Sequence, residues 1–217
     1  MFSKLYEMGL SVIPLKVGEK VPSIIGWQKY CYTMPTTEEI DAWDRLFKRD
    51  LCGISLACGK ASGIIALDLD SDNKDLLNLA PMSPVIKRGK NGETRFFKYN
   101  DSIKLSHFNS IDILSDGSHT VLPPSIHPLI KKPYTWLTPD TLENFDKNDL
   151  PDLDLNFIDD YIRLANKLSP DKNKNESSGG RNNWLKSIVA AMRFNGDSEA
   201  DIIENIFNLD LTKNEKR

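Results

Sequence analysis

The sequence predicts a mixed α/β fold followed by a helical region. Short apolar runs separated by Gly, Pro, Asn and Asp are typical of strands joined by turns, and they extend to about residue 137. A few segments among them carry apolar residues at helical spacing behind capping residues, which indicates helices that pack on the strands. Beyond residue 137, apolar residues recur at helical spacing and no further strand is indicated.

The first elements follow from apolar spacing and capping residues. A short helix at the N-terminus is followed by a strand over residues 10–15. Thr36 and Glu39 have the spacing of a capping box, so they predict the start of a helix that runs to about Lys48. The next strand covers residues 54–57, and a glycine-containing turn joins it to a strand that ends in acidic residues.

The middle of the chain alternates between strands and turns. Glycines between residues 89 and 92 indicate a hairpin turn, and Pro123 with Pro124 ends a strand. A short helix is expected over residues 74–79. Strands are expected over residues 85–87, 94–99, 110–114, 119–122 and 134–136.

Three segments are expected along the chain. A first domain covers residues 1–140, a connecting helix and linker cover 141–178, and a C-terminal helical domain covers 179–217. Residues 155–168 have helical spacing, whereas 169–178 have almost nothing to bury. The last segment is expected to form a helical hairpin over residues 184–194 and 199–209.

Composition excludes several classes of protein. Hydrophobic residues make up 40% and charged residues 27% of the 217 residues, which is typical of a globular domain. No apolar run is long enough to cross a bilayer, and the N-terminus lacks the layout of a signal peptide. We therefore expect a cytoplasmic protein that does not interact with membranes. The net charge of −3 argues against a strongly basic coat for nucleic acid.

Two acidic residues end the apolar run over residues 64–70. Because a strand places successive side chains on opposite faces, Asp68 and Asp70 point the same way, about 7 Å apart along the strand. Two carboxylates on a rigid strand suit Mg²⁺ or Mn²⁺, and such sites most often handle phosphates. The alternative is that both acids lie at an exposed strand end.

A third acid, Asp112, stands between Ile111 and Ile113 in another predicted strand. An isolated acid lowers strand propensity, which a metal ion or a basic partner would offset. On neighbouring strands, Asp68, Asp70 and Asp112 would form a catalytic cluster able to hold two metal ions about 3.5–4 Å apart. Taken alone, Asp112 fits a solvated or salt-bridged strand residue better.

Basic residues crowd between the two acidic strands. The usual interpretation of such a run is a solvated face, but its position between candidate metal-ligand strands favours phosphate binding. Arg88, Lys90 and Arg95 are the candidates for contacting a triphosphate. The whole run consists of Lys87, Arg88, Lys90, Arg95 and Lys98.

These motifs together resemble the primase-polymerase (prim-pol) domain of the archaeo-eukaryotic primase superfamily, in the form carried by phages, plasmids and other mobile elements. The resemblance covers roughly residues 8–137, and D-x-D followed by I-D-I-L and V-L-P-P-S is its most specific part. The matching motifs lie at residues 12–15, 20–22, 53–56, 67–70, 111–114 and 120–125.

The resemblance implies an RRM-like, mainly antiparallel sheet packed on helices, and the hairpin signals agree with it. It implies template-directed synthesis of primers or DNA, with Asp68, Asp70 and Asp112 as metal ligands. Single-stranded DNA and nucleoside triphosphates would be the partners, together with a fused or separate helicase. The chain itself has no phosphate-binding loop of the helicase type. Residues 179–185 are similar to the start of the small helical domain that follows prim-pol modules.

One motif departs from the family pattern. The family usually carries a histidine that contacts the phosphates of the incoming nucleotide, and Thr94 stands at that position here, next to Arg95. Arg95 could take over the contact, since a guanidinium binds phosphate in a bidentate manner. Alternatively, His119 or His127 could reach in from a neighbouring strand and loop.

Two other functions remain open on the sequence alone. A non-catalytic module that binds DNA or a partner protein would account for the altered motif, and a metal-dependent nuclease would use the same acids. Trp27 and Phe97 could stack on a base, although such residues are more often part of the core.

Overall fold

The computed structural model describes residues 1–50, 52–108 and 110–168. The chain divides into two compact units, Met1–Asn166 and Lys167–Arg217. The fold described below is that of the first unit. The predicted linker, the motif similar to the small helical domain and the C-terminal helical hairpin lie outside the described residues.

The described residues include nine strands and four α-helices, and no described helix is long and apolar enough to cross a membrane. Two short 3-10 helices cover Trp27–Cys31 and Lys147–Asp149. The α-helices are α1 (Phe2–Glu7), α2 (Thr37–Asp50), α3 (Lys74–Leu79) and α4 (Ile158–Leu168). The strands are β1 (Val12–Pro14), β2 (Ile54–Ala57), β3 (Ile64–Leu69), β4 (Ile86–Arg88), β5 (Glu93–Lys98), β6 (Ser106–Phe108), β7 (Ile111–Leu114), β8 (His119–Leu122) and β9 (Thr135–Trp136).

The strands form two antiparallel sheets. Three strands make one sheet in the order β1-β2-β8, and six make the other in the order β6-β7-β3-β5-β4-β9. The predicted α+β class with mainly antiparallel strands is confirmed. The prediction of one sheet is corrected to two, because strand signals are local whereas the pairing of β2 with β8 joins distant parts of the chain.

The central strand β3 is buried on both faces, which explains its nearly continuous apolar sequence. On one face Ile64 and Ala66 pack in a core that also contains residues of the three-stranded sheet, such as Leu56. On the other face Leu67 packs with Tyr161 of α4 in a second core. Asp68 belongs by alternation to the first face, at the end where that core gives way to solvent.

The predicted capping box of α2 is confirmed. The Thr36 amide donates to Glu39 Oε2 at 2.9 Å, and the Glu39 amide donates to Thr36 Oγ1 at 3.3 Å. The short helix α3 has the bounds predicted for it and begins with a cap in which Asn73 Oδ1 accepts from the amides of Asp75 and Leu76. The sequence does not predict the short strand β6, because three residues, Ser106–Phe108, are too few to show an alternation that would mark them as a strand.

The carboxylate of Asp44 on α2 anchors the start of the chain. It accepts a hydrogen bond of 2.6 Å from the Met1 ammonium and one of 2.8 Å from the Phe2 amide, and it also accepts from Ser3. Burial raises the pKa of Asp44, but these hydrogen bonds outweigh it and hold the pKa well below its usual range.

Asp44→Asn is expected to make the stability less dependent on pH. A carboxylate whose pKa is depressed in the folded state stabilises the fold above its unfolded pKa of about 4, and this contribution is lost as pH falls through the folded pKa. The substitution should lower the free energy of unfolding by roughly 2 kcal/mol at neutral pH and by less near pH 2. Urea unfolding at both pH values measures the difference, with the exposed Asp41→Asn on the same helix as control. An equal loss at both pH values would contradict the assignment.

Candidate active site

Asp68 of β3 and Asp112 of β7 lie directly opposite each other across the two strands. Opposed residues of an antiparallel pair place their side chains on the same face, with Cβ atoms roughly 5 Å apart. The neighbouring Leu67 and Ile113 pack in the core on the other face. Asp70 follows β3 immediately and lies close enough to feel the charges of both acids. The structure therefore places the three aspartates predicted as metal ligands near one another where β3 ends beside β7.

The three carboxylates repel one another electrostatically. The surroundings of Asp70 raise its pKa, first by desolvation and then through the charges of Asp68 and Asp112. Burial also raises the pKa of Asp112, while a hydrogen bond with His107 opposes the rise. Negative charges that destabilise one another in this way would be stabilised by a nearby cation.

A chain of hydrogen bonds connects Asp68 to a buried lysine. Thr94 Oγ1 donates to Asp68 Oδ1 at 2.5 Å and accepts from Lys87 Nζ at 2.8 Å. The three residues are neighbours because β5 pairs Thr94 with Asp68 on one side and with Lys87 on the other. Burial lowers the pKa of Lys87 to about 8, although the charge of Asp68 opposes the shift.

A pocket of about 390 Å³ opens over this face of the sheet. Strands of both sheets and the loop after β8 contribute to it. Four of the residues predicted to bind nucleotide, Lys90, Thr94, His119 and His127, lie in its wall, whereas Arg88 and Arg95 do not. The charged and polar lining includes Lys20, Asp68, Asp70, Lys87, Lys90, Thr94, His119, Thr120 and His127.

The placement of Arg95 corrects the prediction that it contacts phosphate. Strand alternation turns its side chain to the face opposite Thr94, where it is only 3% exposed. Its Nε donates to Glu93 Oε1 at 2.6 Å, and its other nitrogens donate to backbone carbonyls at the end of α3 and just beyond, at 2.6–2.9 Å. Arg95 thus ties α3 to the sheet.

Arg88 is also absent from the wall of the pocket. It donates to the Gly92 carbonyl at 2.8 Å and forms an ion pair of 3.1 Å with Asp72. Gly92 has a φ of +61°, and a Cβ there would lie 1.7 Å from the Leu69 carbonyl oxygen. Arg88 and the glycine therefore hold the β4–β5 turn against the end of β3, and Arg88 is no longer a candidate for direct phosphate contact.

His119 and His127 approach the pocket from the strand and the loop proposed for them. His119 Nδ1 lies 2.7 Å from Ser55 Oγ, its ring packs edge-to-face on Trp27, and burial lowers its pKa to about 4. His119 is therefore neutral at physiological pH. His127 accepts one backbone hydrogen bond of 3.2 Å from Leu129, as expected for a loop histidine, and its ring packs beside Tyr134.

The two aromatic residues considered for base stacking have different positions. Trp27 is partly buried beside His119, close to the pocket. Phe97 is fully buried in the core on the opposite face of the sheet, which corrects the suggestion that it stacks on a base.

Two residues of the site were missed by sequence reasoning. Lys87 was treated as one member of a basic run, although alternation along β4 places it on the face of Thr94. The sequence gives no signal for His107, because the strand β6 that carries it is not predicted. Its Nδ1 lies 2.9 Å from Asp112 Oδ1 across the β6–β7 pair.

The sequence model of the N-terminal domain of bifunctional DNA primase/polymerase (Prim-Pol) matches residues 3–153. The chain belongs to the Prim-Pol family. The resemblance predicted from the motifs is thereby confirmed, and Prim-Pol membership supports a function of the DNA primase/polymerase type. No curated protein matches the chain.

The donor chemistry of this Prim-Pol site fits a hard divalent cation. Three carboxylates on one face repel one another, and oxygen ligands are those that Mg²⁺ and Mn²⁺ prefer. In the rotamers described here, no three His, Cys, Asp or Glu side chains converge on one point among residues 1–50, 52–108 and 110–168. Asp68 and Asp112 are instead hydrogen-bonded to Thr94 and His107.

Proposed function

We propose that this chain is a template-directed nucleotidyltransferase that makes primers, extends DNA, or does both. Its substrates would be nucleoside triphosphates and its template single-stranded DNA, with Mg²⁺ or Mn²⁺ held by Asp68, Asp70 and Asp112. The resemblance to mobile-element proteins supports a cytoplasmic role in the replication of a phage, plasmid or similar element, beside a fused or separate helicase. The observation that carries the proposal is the register that pairs Asp68 with Asp112, in a chain of the Prim-Pol family.

Asp68 and Asp70 line the acidic side of the pocket, and Asp112 lies opposite Asp68 but outside the pocket wall; together the three would provide the metal ligands. When bound, the divalent ion would supply Lewis-acid stabilisation of the charge that develops on the attacking and leaving oxygens. Thr94 holds Asp68 in a fixed orientation, and His107 does the same for Asp112. Hydrogen-bond partners of this kind orient the carboxylates that ligate a metal ion.

The basic side of the pocket suits the phosphate chain of the nucleotide. Lys20 and Lys90 lie in the wall with the two histidines. With Nδ1 facing the Ser55 hydroxyl, the neutral His119 can present its other nitrogen to the pocket as a hydrogen-bond donor. Acids and cations in one pocket allow the metal and the phosphates to be bound side by side.

Primer synthesis on single-stranded DNA with Mn²⁺ and labelled nucleotides tests the proposal. Wild-type protein should give a product that depends on the template, and Asp112→Ala should give none, because it removes one carboxylate of the cluster. DNA that shortens in the absence of nucleotides would indicate a nuclease instead. A binding module would show neither synthesis nor cleavage in the wild type, and Asp112→Ala would still bind DNA. Equal synthesis by both proteins would exclude the three-acid site.

A further inference from the structure

Lys87 is an unusual residue for its position. Its side chain extends from β4 toward the pocket, yet the residue is only 3% exposed. Its ammonium has three N–H donors, and among the described residues Thr94 is the single hydrogen-bond acceptor for them. The ring of Tyr134 lies 5.3 Å from Nζ and provides a weak cation–π contact.

The fold alone does not explain this burial. A buried ammonium is costly unless it is paired with an anion, and no described carboxylate lies within ion-pair distance of Lys87. Asp68 is reached only through the Thr94 hydroxyl. The Thr94 hydroxyl could hold Asp68 equally well if its other neighbour were neutral. The positive charge of Lys87 therefore serves a different function.

We propose that Lys87 binds the phosphate chain of the incoming nucleoside triphosphate. The pocket wall beside it also carries Lys20 and Lys90, so an anion entering there meets three cations. Thr94 accepts from Lys87 and donates to Asp68, and this places the phosphate-binding cation one hydroxyl away from a metal ligand. This inference rests on the proposed function and assigns a specific residue to its substrate.

Lys87→Met tests the proposal, because methionine keeps most of the volume and removes the charge. Binding of a non-hydrolysable nucleoside triphosphate in Mg²⁺ should weaken roughly 10- to 100-fold, as expected for the loss of a charged hydrogen bond. Binding of the corresponding nucleoside, which has no phosphates, should be unchanged. The thermal unfolding midpoint should stay equal to that of the wild type or rise, because a desolvated charge has been removed.

Two further variants make the test specific. Lys98→Met removes a lysine from the far end of β5 and should bind the triphosphate like the wild type. Lys87→Gln keeps a donor for Thr94 without the charge, so it carries the test if the methionine variant does not fold.

The outcomes separate this inference from the function on which it rests. If the wild type extends primers and both Lys87 variants bind the triphosphate normally, the inference is wrong and the function stands. Equal weakening for the nucleoside and the triphosphate would show that Lys87 acts only on the shape of the pocket, which also overturns it. If the wild type neither binds triphosphate nor extends a primer, both proposals fail.

Discussion

Asp68→Asn is expected to lower the rate of nucleotide addition by roughly a thousandfold or more. Asp68 lies opposite Asp112 and beside Asp70, so the substitution removes the central negative charge of the proposed metal site. Loss of a metal ligand removes several kcal/mol of transition-state stabilisation. Asparagine can still accept the hydrogen bond from Thr94, so the fold should be retained.

Single-turnover primer extension measures this effect, and circular dichroism checks the fold. Asp75→Asn is the matched control, since Asp75 is exposed on α3 and has the same charge. The control should extend primers at the wild-type rate. Extension by Asp68→Asn within a few-fold of the wild type would show that this carboxylate is not part of the catalytic site.

Arg95→Ala is expected to destabilise the fold by about 3–5 kcal/mol, as is typical when one partner of a buried ion pair is removed. The change leaves the largely buried Glu93 carboxylate without its cation at 2.5 Å. It also leaves the carbonyls of Leu77, Ala80 and Pro81 without their donor.

Urea unfolding measures the loss, and Arg88→Ala provides the comparison. Arg88 is 39% exposed, and its ion pair with Asp72 is solvated, so its removal should cost about 1 kcal/mol or less. If Arg95→Ala kept the wild-type stability and instead weakened triphosphate binding, the original prediction of a phosphate contact would be restored.

The sequence predicted the local features of the fold well. The capping box at Thr36, the helix over residues 74–79 and the acid at the end of β3 all depend on neighbours within a few residues. The division into two sheets could not be predicted in this way, because it depends on pairings between distant segments such as β2 and β8.

The errors at the site have two physical causes. Thr94 and Arg95 were both assigned to the nucleotide, although adjacent residues of a strand face opposite ways, so at most one could reach it directly. The roles of Lys87 and His107 depend on tertiary packing. A run of charges in the sequence does not show that Lys87 is buried, and a short edge strand does not show that His107 lies opposite Asp112.

The central proposal is that aspartates from β3 and β7, which are far apart in the sequence but paired in the sheet, hold divalent cations beside the pocket. Diffraction from crystals soaked with Mn²⁺ and a non-hydrolysable nucleoside triphosphate, recorded for anomalous scattering, tests this most directly. We predict manganese peaks contacted by Asp68, Asp70 and Asp112, with the phosphates on the lysine side of the pocket. Nucleotide bound without any peak among the three carboxylates would contradict the account.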